Sequence, residues 1–90
     1  MSHLCESEFT VQSELGLHAR PAGRFVALAG RFQARIEVAR DDEWMDGQSI
    51  LSLLSLAASQ GTVLKIRAEG PDASAAVEAL GELLERGEAA

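Results

Sequence analysis

Ninety residues, 47% hydrophobic and 24% charged with a formal net charge of −6, suffice for one small core and are too few for two. The composition excludes a disordered chain, and the negative total argues against general nucleic-acid binding, which draws its affinity from cations placed along phosphates. So small a core leaves little room for a deep substrate cavity, which disfavours a turnover enzyme and puts any chemistry at the surface, with a partner.

Phe9 and Val11 alternate with Glu8, Thr10 and Gln12, the period of a half-buried strand that ends before Ser13. Ahead of it, His3, Cys5 and Glu6 have ligand-type side chains but lie in what reads as a frayed terminal segment. Cys5 is the only cysteine, so no intrachain disulfide forms, and no Cys/His spacing suits a metal. Ala22, Phe25, Val26 and Ala29 recur at i, i+3, i+4 and i+7, which predicts a helix over about Ala19 to Ala29 with Gly30 as its stop. Ile36 and Val38 alternate with Arg35 and Glu37, and beyond Asp41 and Asp42 the segment Glu43 to Asp46 pairs back as a hairpin, with Trp44 an edge aromatic.

Ser49 opens a leucine-rich run, Ile50 to Ala58, that reads as a short helix punctuated by Gly61. Thr62 to Glu69, with Leu64, Ile66 and Ala68 on one side, is the clearest strand. Gly70 and Pro71 turn the chain, and Asp72 caps a last helix whose stripe is Ala76, Val77, Leu80, Leu83 and Leu84, ending near Gly87. The order is β-α-β-β-α-β-α within one domain, residues 1–90, and the alternating strands predict an α+β sandwich with the helices together on one face of an antiparallel sheet. Without a run of 18 apolar residues or a charged-then-apolar leader, the expectation is a cytoplasmic protein with no membrane span.

The net charge conceals an asymmetry: residues 1–40 carry five Arg against four Glu, whereas residues 41–90 carry three basic and ten acidic side chains. An anion therefore belongs in the N-terminal half. That half contains Gly16-Leu17-His18-Ala19-Arg20-Pro21, where the first strand turns into the first helix. Pro21 suits a first helical turn, because its missing amide hydrogen would have had no intrahelical acceptor. The free amides and positive dipole end make an anion site, Arg20 adds a planar donor fork, and a neutral imidazole at His18 brings a lone pair that can attack phosphorus. Taken singly, the same residues also read as a capping histidine, a solvated arginine and a turn glycine.

Gly16-Leu17-His18-Ala19-Arg20-Pro21-Ala22 resembles the active-site signature of the HPr family, the histidine-containing phosphocarriers of the phosphoenolpyruvate-dependent sugar phosphotransferase system. Gln48-Ser49-Ile50-Leu51 with Leu53, Leu54 and Leu56 resembles the family's second signature, around a regulatory serine, and Gly61-Thr62 and Arg67-Ala68-Glu69-Gly70 match its last strand and turn. The resemblance implies an open-faced β-sandwich of four antiparallel strands and three helices. It implies that His18 accepts a phosphoryl group at Nδ1 from Enzyme I and passes it to a IIA domain of a sugar permease, with Arg20 steadying the group and no cofactor required.

By the same resemblance Ser49, in itself a helix cap, is a substrate of HPr kinase/phosphorylase, although Gln48 stands where a Lys is often found. Ile50, Leu51 and Leu54 would form an apolar docking patch with Arg20 and Arg24 as its cationic rim, on a monomer that also meets a transcriptional regulator. Leu15 stands where most HPr sequences have an Asn able to hydrogen-bond the histidine. The Leu-Gly form also occurs in NPr, the nitrogen-related paralogue, so an NPr-type carrier is one alternative, and an HPr-like carrier for dihydroxyacetone phosphorylation another. A regulator without phosphoryl chemistry would need no nucleophile, and nothing marks the ligand pocket of a small-molecule sensor.

Overall fold

The computed structural model describes residues 3–86 as β1 (His3–Thr10), α1 (Ala19–Ala29), β2 (Arg35–Arg40), β3 (Glu43–Asp46), α2 (Ile50–Ser55), β4 (Val63–Gly70) and α3 (Ala73–Arg86). The expected element order is the observed one, and the strands form a single antiparallel sheet in the order β1-β4-β2-β3. Register follows from the period of two: Phe9 lies opposite Leu64, and Val38 and Ile36 lie opposite Ile66 and Ala68, so one face collects the apolar residues. Leu64, Ile66, Ala68, Ile36 and Val38 are fully buried there beneath Phe25 of α1, Leu53 of α2 and Leu80 of α3. Gly81 of α3 faces the Phe9 ring so closely that a Cβ would strike it, and the absent side chain lets the helix settle on β1.

The opposite face is a charged ladder. Arg67 donates from Nε and Nη2 to one Glu37 carboxylate oxygen, at 3.0 and 2.8 Å. Its guanidinium carbon lies 3.8 Å from the centroid of the Trp44 ring, so the expected edge aromatic is the platform of a cation–π stack. The β2–β3 turn places Asp41 and Asp42 at φ +52° and +67°, the two-residue geometry whose twist matches the flanking strands. Lys65 Nζ donates to Asp42 Oδ1 at 2.9 Å, and this hydrogen bond, reinforced by the ammonium charge, holds the Asp42 carboxyl below its ordinary pKa and the Lys65 ammonium above its own.

The structure corrects several sequence expectations. His3, Cys5 and Glu6 are not a frayed segment, because β1 pairs with β4 from His3↔Gly70 to Thr10↔Val63; Cys5 then faces the core side and Glu6 the charged side, so the three cannot converge on a ligand. β1 ends at Thr10 because the chain then leaves the sheet: Val11 still bonds Thr62, but the Gln12 amide donates to Leu84 O of α3 at 3.1 Å. The leucine-rich helix stops at Ser55 and not at Ala58, since Ala57 turns to φ +51° and Arg40 Nη1 takes the carbonyls of Leu56 and Ala57 at 3.0 and 2.8 Å. The stop expected near Gly87 lies outside the described residues.

Asp72 precedes α3 and its carbonyl accepts from Ala76, but its carboxylate reaches across to the loop between α1 and β2, accepting from the amides of Gln33 at 2.9 Å and Ala34 at 2.8 Å. One side chain thus ties the start of α3 to the start of β2. Asp72→Ala would leave two amides without acceptors, and should lower unfolding stability by about 1–3 kcal/mol in chemical denaturation, with Asp72→Asn losing less.

Candidate functional site

The site is built around the chain reversal before α1. Gly16 has φ +73°, and a Cβ there would collide with the Ala58 carbonyl, so only glycine permits this approach. The contact is held by the Leu17 amide, which donates to Ala58 O at 2.8 Å, while Leu17 itself is buried. Held from behind, the next residue is extended: His18 has φ −85° and ψ −171° and occupies the N-cap of α1.

The His18 carbonyl accepts from Ala22 at 3.0 Å, but its side chain makes no capping hydrogen bond. The capping alternative therefore fails for the imidazole. In the first turn of α1 there is no acidic residue, Pro21 has no amide hydrogen, and the Ala19 and Arg20 amides have no intrahelical acceptor. An open depression of about 710 Å³ lies in front, lined by Gln12, Ser13, Glu14, Leu15, His18, Ala19, Arg20 and Arg86. It thus joins a half-buried imidazole, an exposed guanidinium and the positive end of a helix, an arrangement suited to an anion carried on a ring nitrogen.

The remaining candidates sit outside that depression. Arg24 is exposed one turn beyond Arg20, and lines a separate crevice with Pro21, Leu83 and Leu84. Ser49 is the N-cap of α2, its Oγ accepting from the Ser52 amide at 3.3 Å. On α2, Leu51 is 80% exposed and Ile50 42%, whereas Leu54 is half-buried against the core, so the expected patch consists mainly of the first two. Leu53 and Leu56 are core, as the sequence suggested. Leu15, at the rim of the depression, is 78% exposed.

Arg86 was not legible as a site residue. Its i,i+4 spacing from Glu82 marks only a solvated helix face, and folding alone brings the end of α3 to His18.

The family model described as the PTS HPr component phosphorylation site matches residues 5–86. The chain belongs to the HPr family. It is 44% identical over 78 residues to the phosphocarrier protein HPr of Pseudomonas aeruginosa, covering 86% of this chain and 87% of that protein. Among solved structures, it is similar to HPr from Bacillus anthracis, with a TM-score of 0.86 and 37% identity over 90% of this chain and 96% of that one. An HPr dimer from Thermoanaerobacter tengcongensis aligns with a TM-score of 0.72 and 42% identity, over 84% of this chain and 87% of that one. The family is one of phosphocarriers in the phosphotransferase system, and the four-stranded antiparallel sheet with three helices is the HPr fold.

Because the approach to Ala58 admits no Cβ, Gly16→Ala should cost at least about 1–2 kcal/mol through the left-handed backbone alone. It should also displace the His18 ring resonances in NMR spectra. Ser49→Ala, which removes one long capping bond, should cost only about 0.5–1 kcal/mol by denaturation.

Proposed function

We propose that His18 is the phosphoryl acceptor of this HPr-family chain, that Enzyme I is the donor, and that a IIA domain of a sugar permease is the next acceptor. The observation that carries this reading is the N-cap histidine whose imidazole is left out of the capping, beside open helix amides and the Arg20 fork. With the ring proton on Nε2, the Nδ1 lone pair attacks phosphorus, a new P–N bond forms, and the bond to the donor breaks with its electron pair leaving on the donor. The α1 amides and Arg20 hold the phosphoryl oxygens while the charge moves. Transfer to the IIA domain reverses the sequence, so one HPr-like domain over residues 1–90 is a carrier and not a turnover enzyme.

Ser49 is proposed as the regulatory site of HPr kinase/phosphorylase, and Ile50, Leu51 and Leu54 with Arg24 as the docking surface for Enzyme I, IIA domains and a transcriptional regulator. The exposure of Leu51 and Ile50 supports that surface. The proposed place of action is the cytoplasm; among the described residues no helix is long and apolar enough to cross a membrane. We take the working unit to be a monomer, because His18, Arg20 and the α1 amides come from one chain. A second reading, an NPr-type carrier of a nitrogen-related branch, draws support from Leu15 at the rim, and comparing transfer from the sugar-branch and nitrogen-branch Enzymes I distinguishes the two.

Incubation with phosphoenolpyruvate and the host Enzyme I should add one phosphoryl group by intact mass, acid-labile and alkali-stable, and His18→Ala should abolish it. Arg20→Ala should slow transfer by about tenfold, the scale of one lost charge-assisted contact, with melting temperature unchanged. An adduct that persists in His18→Ala refutes the assignment. Ser49→Asp should keep its circular dichroism, since an anion at a helix N-terminus is tolerated, yet raise the apparent KM for Enzyme I, with added salt relieving part of the defect.

A further inference from the structure

We propose that Arg86, at the end of α3, is a second guanidinium for the phosphoryl group on His18, and that Glu82 holds it in reserve while the histidine is unmodified. The proposal rests on the reading of His18 as phosphoryl acceptor and extends its cradle to a helix that the active-site signature does not contain. Arg20 and Arg86 are the basic side chains lining the depression, on walls that are far apart in sequence. The second wall is anchored, since the Gln12 amide donates to Leu84 O at 3.1 Å and Leu84 is buried, which fixes the backbone two residues before Arg86 beside the strand exit leading to His18.

Arg86 Nη2 donates to Glu82 Oε1 at 2.7 Å, with the two side chains 58% and 71% exposed. So exposed a pair contributes little to stability and can be exchanged, while a phosphoryl dianion offers more charge and three acceptor oxygens. Glu14, the carboxylate lining the depression, repels that dianion, which a second guanidinium offsets. A guanidinium has five donors, so Arg86 can turn part of its fork to the phosphoryl group while Arg20 holds it from α1.

The contact exists only in the phosphorylated protein, so it belongs in the transfer equilibrium as well as in the rate. The test measures the equilibrium constant for phosphoryl transfer between Enzyme I and the full chain, which depends on the free species alone and is unaffected by losses at a docking interface. Relative to wild type, Arg86→Gln should lower that constant by about three- to tenfold and Arg86→Lys by less, whereas Glu82→Gln, which releases the guanidinium, should raise it. In NMR spectra the Arg86 Nε–H resonance should shift on phosphorylation of the wild type and stay fixed in His18→Ala treated identically. A wild-type constant in folded Arg86→Gln, or a fixed Arg86 resonance in the phosphorylated wild type, overturns the proposal and leaves His18 as acceptor. A wild-type chain that takes up no phosphoryl group overturns both readings.

Discussion

The hydrogen bond from the Leu17 amide to the Ala58 carbonyl is the constraint on which the site depends. It joins the segment before α1 to the segment after α2, and it forms only because Gly16 lets two backbones meet without a Cβ between them. Everything in front of it follows in sequence: Leu17 is drawn into the core, His18 is extended, and α1 begins with its amides facing outward. The position of Ala58 depends in turn on where α2 stops. Arg40, at the end of β2, binds the carbonyls of Leu56 and Ala57, so a strand residue determines the end of a helix and, through Ala58, the placement of a histidine. A surface imidazole is thus held by backbone contacts, leaving its ring nitrogens free of structural duty.

The sheet separates two kinds of work. Its inner face carries fully buried aliphatics that hold the three helices. Its outer face is occupied by side chains already engaged with one another, among them Arg67 with Glu37 and Trp44, and Lys65 with Asp42. Cations that could have drawn an anion to the wrong side are neutralised there, whereas Arg20 lies beside His18 in the open depression. The helix mouth thus places an open guanidinium and free amides together on a chain whose total charge is negative, and local potential governs how an acidic partner or a phosphate approaches.

Period and punctuation in the sequence determined much of this protein. The alternation of Leu64, Ile66 and Ala68 and the stripe of Ala22, Phe25 and Ala29 are local consequences of how β and α backbones repeat, so element type, order and most of the core could be read directly. The HPr signature at Gly16 to Ala22 likewise put the histidine and arginine at a helix mouth, since Gly, His and Pro act through backbone preferences within a few residues. Tertiary structure decided whatever depends on partners distant in sequence. Asp72 has the composition of a helix cap, yet its carboxylate serves amides 38 and 39 positions away. α2 ends where Arg40 reaches it and not where the leucines run out, and His3 to Glu6 are strand because β4 is there to pair with them. Arg86 comes to line the same depression as His18 only when α3 lies across the sheet, because two side chains 68 positions apart have no local interaction through which a sequence could reveal that they share a site.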